Sequence, residues 1–132
     1  MIEIGATAER MWTVESRHLA TAHGSGDVDV LATPALIAFC EETARELVAP
    51  NLPEEQTTVG TSVEMQHTAA TPPGLSVSVT AQLVDVDGRR LRFDLVARDE
   101  AEEIGRGCHE RFIVDRERFE SKVAAKRGSK AA

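Results

Sequence analysis

Between Thr57 and Gly74 the side chains sort at period two. Val59, Thr61, Val63, Met65 and His67 fall on one side of the chain, and Thr58, Gly60, Ser62, Glu64 and Gln66 fall on the other. Alternation of this kind predicts a half-buried strand whose last inward residue is His67. The TPPG that follows predicts a turn, because proline presets φ and Gly74 supplies a positive one. A second alternation, with Leu75, Val77, Val79, Ala81 and Leu83 set against Ser76, Ser78, Thr80 and Gln82, predicts the next strand. Its phase slips at Val84 and Val86, which predicts a bulge before the Asp87-Gly88 hairpin signal. Leu91, Phe93, Leu95 and Ala97 alternate on the return strand. After a turn near 99–102, a last strand carries Ile104, Cys108, Phe112 and Val114 on one face and His109 and Arg111 on the other.

Upstream of these strands the period changes. Leu36, Ile37, Phe39, Cys40, Thr43, Ala44 and Leu47 make a broad apolar face at helical spacing, with Glu42 and Glu46 opposite and Glu41 at the border. Thr33 fits the N-cap and Pro34 the first turn, and the helix is expected to end near Val48, before Pro50. Residues 8–19 predict a first strand ending near His18, and the small, polar 22–30 stretch a surface loop. A short terminal helix is expected over 115–126, with Phe119 and Val123 on one face. One helix cannot cover both faces of such a sheet, but an antiparallel sheet can curl around it. The fold class expected is therefore α+β in one domain, residues 1–132, with a basic helix and tail from about residue 116.

Charge narrows the function. Fifteen Lys and Arg against 22 Asp and Glu give a net charge of −7, which argues against a general nucleic-acid or anionic-membrane binder. Beyond residue 115 six basic residues face two acidic ones, so the tail is positive on an acidic body. Such an end could draw in an anionic small molecule, although a solvated helix explains it as well. Cys40 and Cys108 lack metal-ligand spacing and read as reduced packing residues, and no metal site is expected. MIEIGATAER has no basic region followed by an apolar one, and the longest nearly apolar run, 31–39, is too short for a membrane span. A cytoplasmic protein is expected.

Three residues carry candidate chemistry. Thr33 at a helix start, Glu41 two turns on and His67 on the adjoining strand could supply hydroxyl, carboxylate and imidazole to one pocket. Spacing alone leaves simpler roles open: a cap for Thr33, an i,i+4 ion pair with Arg45 for Glu41, and a core-edge imidazole for His67.

Thr33-Pro34 with a helix containing Glu41, then Val59-Gly60-Thr61, then HTAATPPG over 67–74, then Gly107-Cys108-His109-Glu110-Arg111, resemble the fluoroacetyl-CoA-specific thioesterase family of the hotdog superfamily. The likeness runs from about Thr33 to Val123. It implies a hotdog fold, a sheet wrapped around one long helix, usually paired as a homodimer with acyl-CoA sites near the interface. It implies catalytic roles for Thr33, Glu41 and His67, a backbone contact to the thioester at Gly60 and a substrate contact at Arg111. A glycine at position 60 also makes physical sense, since a backbone N–H can approach a carbonyl oxygen where no Cβ intervenes. CoA enters as part of the substrate, with no further cofactor. The family's fluoroacetyl-specific enzyme closes its acyl pocket with aromatic side chains from the region matching 23–30, where this chain has none, so a different short or medium acyl group is expected. A non-catalytic acyl-CoA or small-ligand binding protein of the same fold is the alternative. A hotdog hydratase fits less well, because those enzymes pair an Asp with a His in another setting.

Overall fold

The computed structural model describes residues 2–131, with side chains to residue 128. Five strands form one antiparallel sheet in the order β1-β3-β4-β5-β2: β1 (Thr7–Thr13), β2 (Gln56–His67), β3 (Ser76–Asp87), β4 (Arg90–Asp99) and β5 (Glu103–Asp115). Three helices accompany them: α1 (Ala20–His23), α2 (Thr33–Val48) and α3 (Arg116–Ala131). Helix α2 buries Ala35, Leu36, Phe39, Cys40, Thr43, Ala44 and Val48. The facing wall comes from Val77, Val79, Ala81 and Leu83 of β3 and Leu91, Phe93, Leu95 and Ala97 of β4, all fully buried. This is the expected α+β arrangement, a sheet curled around one helix.

The hairpins follow the sequence signals closely. Gly74 and Gly88 both adopt positive φ, at 97° and 62°, and the β3 register shifts between Leu83 and Asp85, where the hydrophobic phase slips. Gly107 has a different reason. A Cβ there would overlap the Glu64 carbonyl oxygen of β2, so only glycine lets the two strands approach this closely.

Several boundaries and facings differ from the sequence reading. The first strand stops at Thr13 instead of near His18, because the Glu15 N–H donates to His18 Nδ1 and folds residues 16–18 into a 3₁₀ turn that leads into α1. Terminal helix α3 runs on to Ala131, and Ala132 and the side chain of Lys130 lie outside the described residues. In β2 the strict period two breaks at a register shift between Gly60 and Ser62. Thr58 and Gly60 therefore face the helix before the bulge, and Val63, Met65 and His67 face it afterwards. On β5 the polar pair is the inward one: His109 and Arg111 are 0% and 5% exposed, whereas Phe112 is 41% exposed. Cys108 sits on the outer side between Arg92 and Glu64, so it is not the core residue expected, and Cys40 is deeply buried with its thiol pushed up to about 12. Among the described residues no helix is long and apolar enough to cross a membrane, and no group of three or more His, Cys, Asp or Glu side chains could hold a metal ion.

Candidate functional site

Thr33 does not cap its helix. Ala32 occupies the N-cap position and no side-chain cap bond forms there. The Thr33 hydroxyl lies instead 2.8 Å from His67 Nδ1. Backbone bonds set up that meeting: Leu31 N–H donates to the Thr71 carbonyl, Ala32 N–H to the His18 carbonyl, and Thr68 N–H to the Ile104 carbonyl. Thr71 is fully buried and its hydroxyl donates to Asp99, so the segment after His67 is tied to the helix entrance on one side and to β4 on the other. Burial pushes the His67 pKa below its ordinary value of 6.5, and the Ala69 backbone offsets part of that. His67 Nε2 is buried and, among the described residues, has no partner meeting hydrogen-bond geometry. The pair opens into a cavity of 310 Å³ bordered by Ala20, Ser25, Val30 and Ala69.

A second group forms around Glu41. Its carboxylate has turned away from Arg45, which pairs with Glu46, and stands 3.7 Å from the buried Arg111 guanidinium. Arg111 Nε donates to Thr58 Oγ1 at 2.8 Å and Nη2 to the Thr58 carbonyl at 3.0 Å. Burial lowers the Arg111 pKa from its ordinary 12.5 while Glu41 opposes the shift. Gly60 makes the space: a Cβ built there would lie 2.5 Å from Glu41 Oε2, 3.3 Å from His109 and 3.4 Å from Arg111.

The five candidate residues thus gather as two clusters within one chain, Thr33 with His67, and Glu41 with Gly60 and Arg111. Glu41 lies eight positions along the helix from Thr33, about 12 Å of rise. His67 and Gly60 stand at opposite ends of a strand segment roughly 20 Å long.

The sequence profile of the fluoroacetyl-CoA-specific thioesterases matches residues 14–117. The chain belongs to this family. A fluoroacetyl-CoA thioesterase from Streptantibioticus cattleyicolor is 43% identical over 98 residues, which cover 74% of this chain and 70% of that protein. The solved fluoroacetyl-CoA thioesterase FlK superposes with a TM-score of 0.91 at 33% identity, covering 96% of this chain and 98% of FlK, and a mutant of it has been solved with fluoroacetate and CoA. A hot-dog-like protein from Thermanaerovibrio acidaminovorans, 23% identical with a TM-score of 0.86 over 93% of this chain and 91% of its own, shares the fold.

Two residues that belong to this thioesterase's second cluster escaped the sequence reading, Thr58 and His109. Simple alternation places both on the outer face. The clue available was polar: a threonine, a histidine and an arginine in strands otherwise rich in apolar inward residues. Gly60 supplies a test of the cluster. The atom that a methyl group at position 60 meets first is the end of a flexible carboxylate, so Gly60→Ala is expected to displace Glu41 while costing no more than about 1–3 kcal/mol in stability. Thiol release from acyl-CoA should fall at least tenfold while the variant still melts cooperatively. An unchanged rate would show that the position of this carboxylate does not matter.

Proposed function

We propose that this protein hydrolyses acyl-CoA thioesters carrying short or medium acyl groups, and that it does so as a homodimer with each active site shared between subunits. The observation that carries the reading is the Thr33–His67 contact, which forms in place of a helix cap. A hydroxyl donating to a half-buried imidazole that opens on a cavity is the arrangement of a general base with its proton source. His67 takes the proton of the attacking hydroxyl, either that of Thr33 or that of a water molecule held beside it, and returns it to the departing CoA sulfur. On the Thr33 route the acyl-Thr33 ester so formed is then cleaved by water, whose proton passes through the same imidazole to the Thr33 oxygen. With Nδ1 accepting from Thr33, Nε2 carries the ring proton and needs an acceptor, a role suited to a carboxylate.

The sheet's free edge supports a second copy as the source of that carboxylate. Strand β2 is 12 residues long and lies at the edge of the sheet, where its outer row of backbone groups is open to another strand. A two-fold axis near its middle lays two copies antiparallel, so that the His67 end of one strand lies beside the Gln56–Gly60 end of the other. Glu41 of the partner subunit then approaches His67, and the backbone N–H at Gly60 of the partner subunit can polarise the thioester oxygen, with Arg111 fixing the carboxylate. The small lining contributed by Ala20, Ser25 and Val30 supports an acyl group that needs no aromatic clamp.

Free CoA thiol measured across an acyl-CoA panel tests the activity, and tight binding with no thiol released would overturn it. The shared site has its own signature in the titration of His67. Burial alone holds its pKa below 6.5, whereas a facing carboxylate favours the imidazolium and raises it. By NMR the imidazole is therefore expected to titrate below 6.5 in Glu41→Gln and at a higher pH in the parent. Equal values in the two proteins would remove Glu41 from the neighbourhood of His67.

A further inference from the structure

His109 is wholly buried, close to neither the His67 ring nor the cavity beside it, and the hydrolysis described above gives it no task. Its two nitrogens are nevertheless both engaged. Nδ1 lies 2.7 Å from the Ser62 carbonyl, which can only accept, so Nδ1 carries the ring proton. Nε2 lies 3.2 Å from Arg111 Nη1, which can only donate, so Nε2 presents its lone pair. One neutral tautomer satisfies both partners, and protonation would set a ring N–H against a guanidinium. Burial and Arg111 push the pKa below 6.5, against the Ser62 carbonyl and the carboxylates of Glu41 and Glu110. Phe93 lies beside the ring, with 6.0 Å between centroids.

The guanidinium is consequently held from two sides. Thr58 takes Nε and Nη2, and His109 takes one N–H of Nη1. What remains toward Glu41 is the other N–H of Nη1, at 3.7 Å, longer than a closed ion pair. We propose that His109 is a positioning residue that, together with Thr58, restrains Arg111 from closing on Glu41, so that the carboxylate stays oriented yet keeps lone pairs for the reaction. This rests on the role assigned to Glu41 above. Released from His109, Nη1 would close on that carboxylate and draw it away from the imidazole it serves.

Leucine and glutamine at position 109 separate positioning from packing. Leucine fills the space without an acceptor, and the Gln side-chain oxygen stands in for Nε2. His109→Leu is expected to lower kcat on an acyl-CoA roughly tenfold or more with KM within about twofold, His109→Gln to recover most of the loss, and Thr58→Val, which removes the other side-chain acceptor, to act in the same direction as leucine. In a Glu41→Gln background His109→Leu should produce no further loss, because the two residues act through one contact. Should the leucine variant fold poorly, Thr58→Val alone carries the test. A Glu41→Gln variant as fast as the parent would overturn the underlying assignment of Glu41. Full activity in His109→Leu or in Thr58→Val, beside an impaired Glu41→Gln, would overturn the positioning role alone. Equal losses in the leucine and glutamine variants would do the same, since packing would then explain them.

Discussion

Replacing His67 with alanine is expected to slow thiol release from an acyl-CoA by about 10²–10⁴-fold at saturating substrate. That loss equals about 3–5 kcal/mol of transition-state stabilisation. The expectation follows from geometry. Among the described residues, Nδ1 is the only ring nitrogen facing the Thr33 hydroxyl, at 2.8 Å, and no other imidazole or carboxylate borders the cavity that the pair opens into. Without the imidazole the attacking hydroxyl must give its proton to bulk water. The fold should survive, because His67 is half-buried at the end of β2 and its backbone pairing with Gly105 is untouched. Progress curves for thiol release, read beside a thermal melt of the same sample, check both halves of the statement. A cooperatively folded His67→Ala within about threefold of the parental rate would leave the Thr33–His67 pair without a catalytic role.

Glu41→Gln should produce a loss of similar size, about 10²–10⁴-fold, because an amide neither carries the charge that stabilises an imidazolium nor attacks a carbonyl. The neutral side chain still reaches Arg111 and still fits beside Gly60, so the substitution tests charge more than volume. Mixing carries the decisive information. When His67→Ala and Glu41→Gln subunits exchange, each heterodimer with shared sites contains one site with both residues intact and one with neither. Random reassortment makes half the dimers heterodimers, so the mixture should regain about a quarter of parental activity from two nearly inactive parents. Sites confined to one subunit would regain nothing. A mixture as inactive as its components, under conditions where subunit exchange is seen directly, would sink the shared site.

The parts of the fold that local sequence reported were those where one period held throughout an element. Leu91, Phe93, Leu95 and Ala97 alternate without a break and all four are fully buried. Gly74 and Gly88 stand where their turns need a left-handed backbone, and the slip at Val84 marks a real register shift. The reading failed where alternation was carried through a bulge that no hydrophobic residue announced. At Thr61 the chain gains a residue relative to β5, which turns Thr58 and Gly60 inward and assigns Val59 to the outer face opposite Phe112. On β5 the apolar residues Phe112 and Cys108 suggested the inner face, yet the inner face holds a histidine and an arginine whose polar atoms are satisfied by each other, by Thr58 and by the Ser62 carbonyl. Pairing between distant residues made their burial tolerable, and no local pattern contains it.

The same division runs through the site. The sequence determined by itself that a long amphipathic helix would be wrapped by an antiparallel sheet, that His67 would end a strand pointing inward, and that a hydroxyl and a carboxylate would lie two turns apart on that helix, because periodicity and turn chemistry are properties of neighbouring residues. Only the tertiary structure decided that Thr33 would give its hydroxyl to His67 instead of to its own helix, and that Glu41 would face Arg111 instead of Arg45. Those choices depend on which groups the folded chain brings within about 4 Å, and that proximity is fixed by strand register and helix docking across 34 residues in one case and 70 in the other.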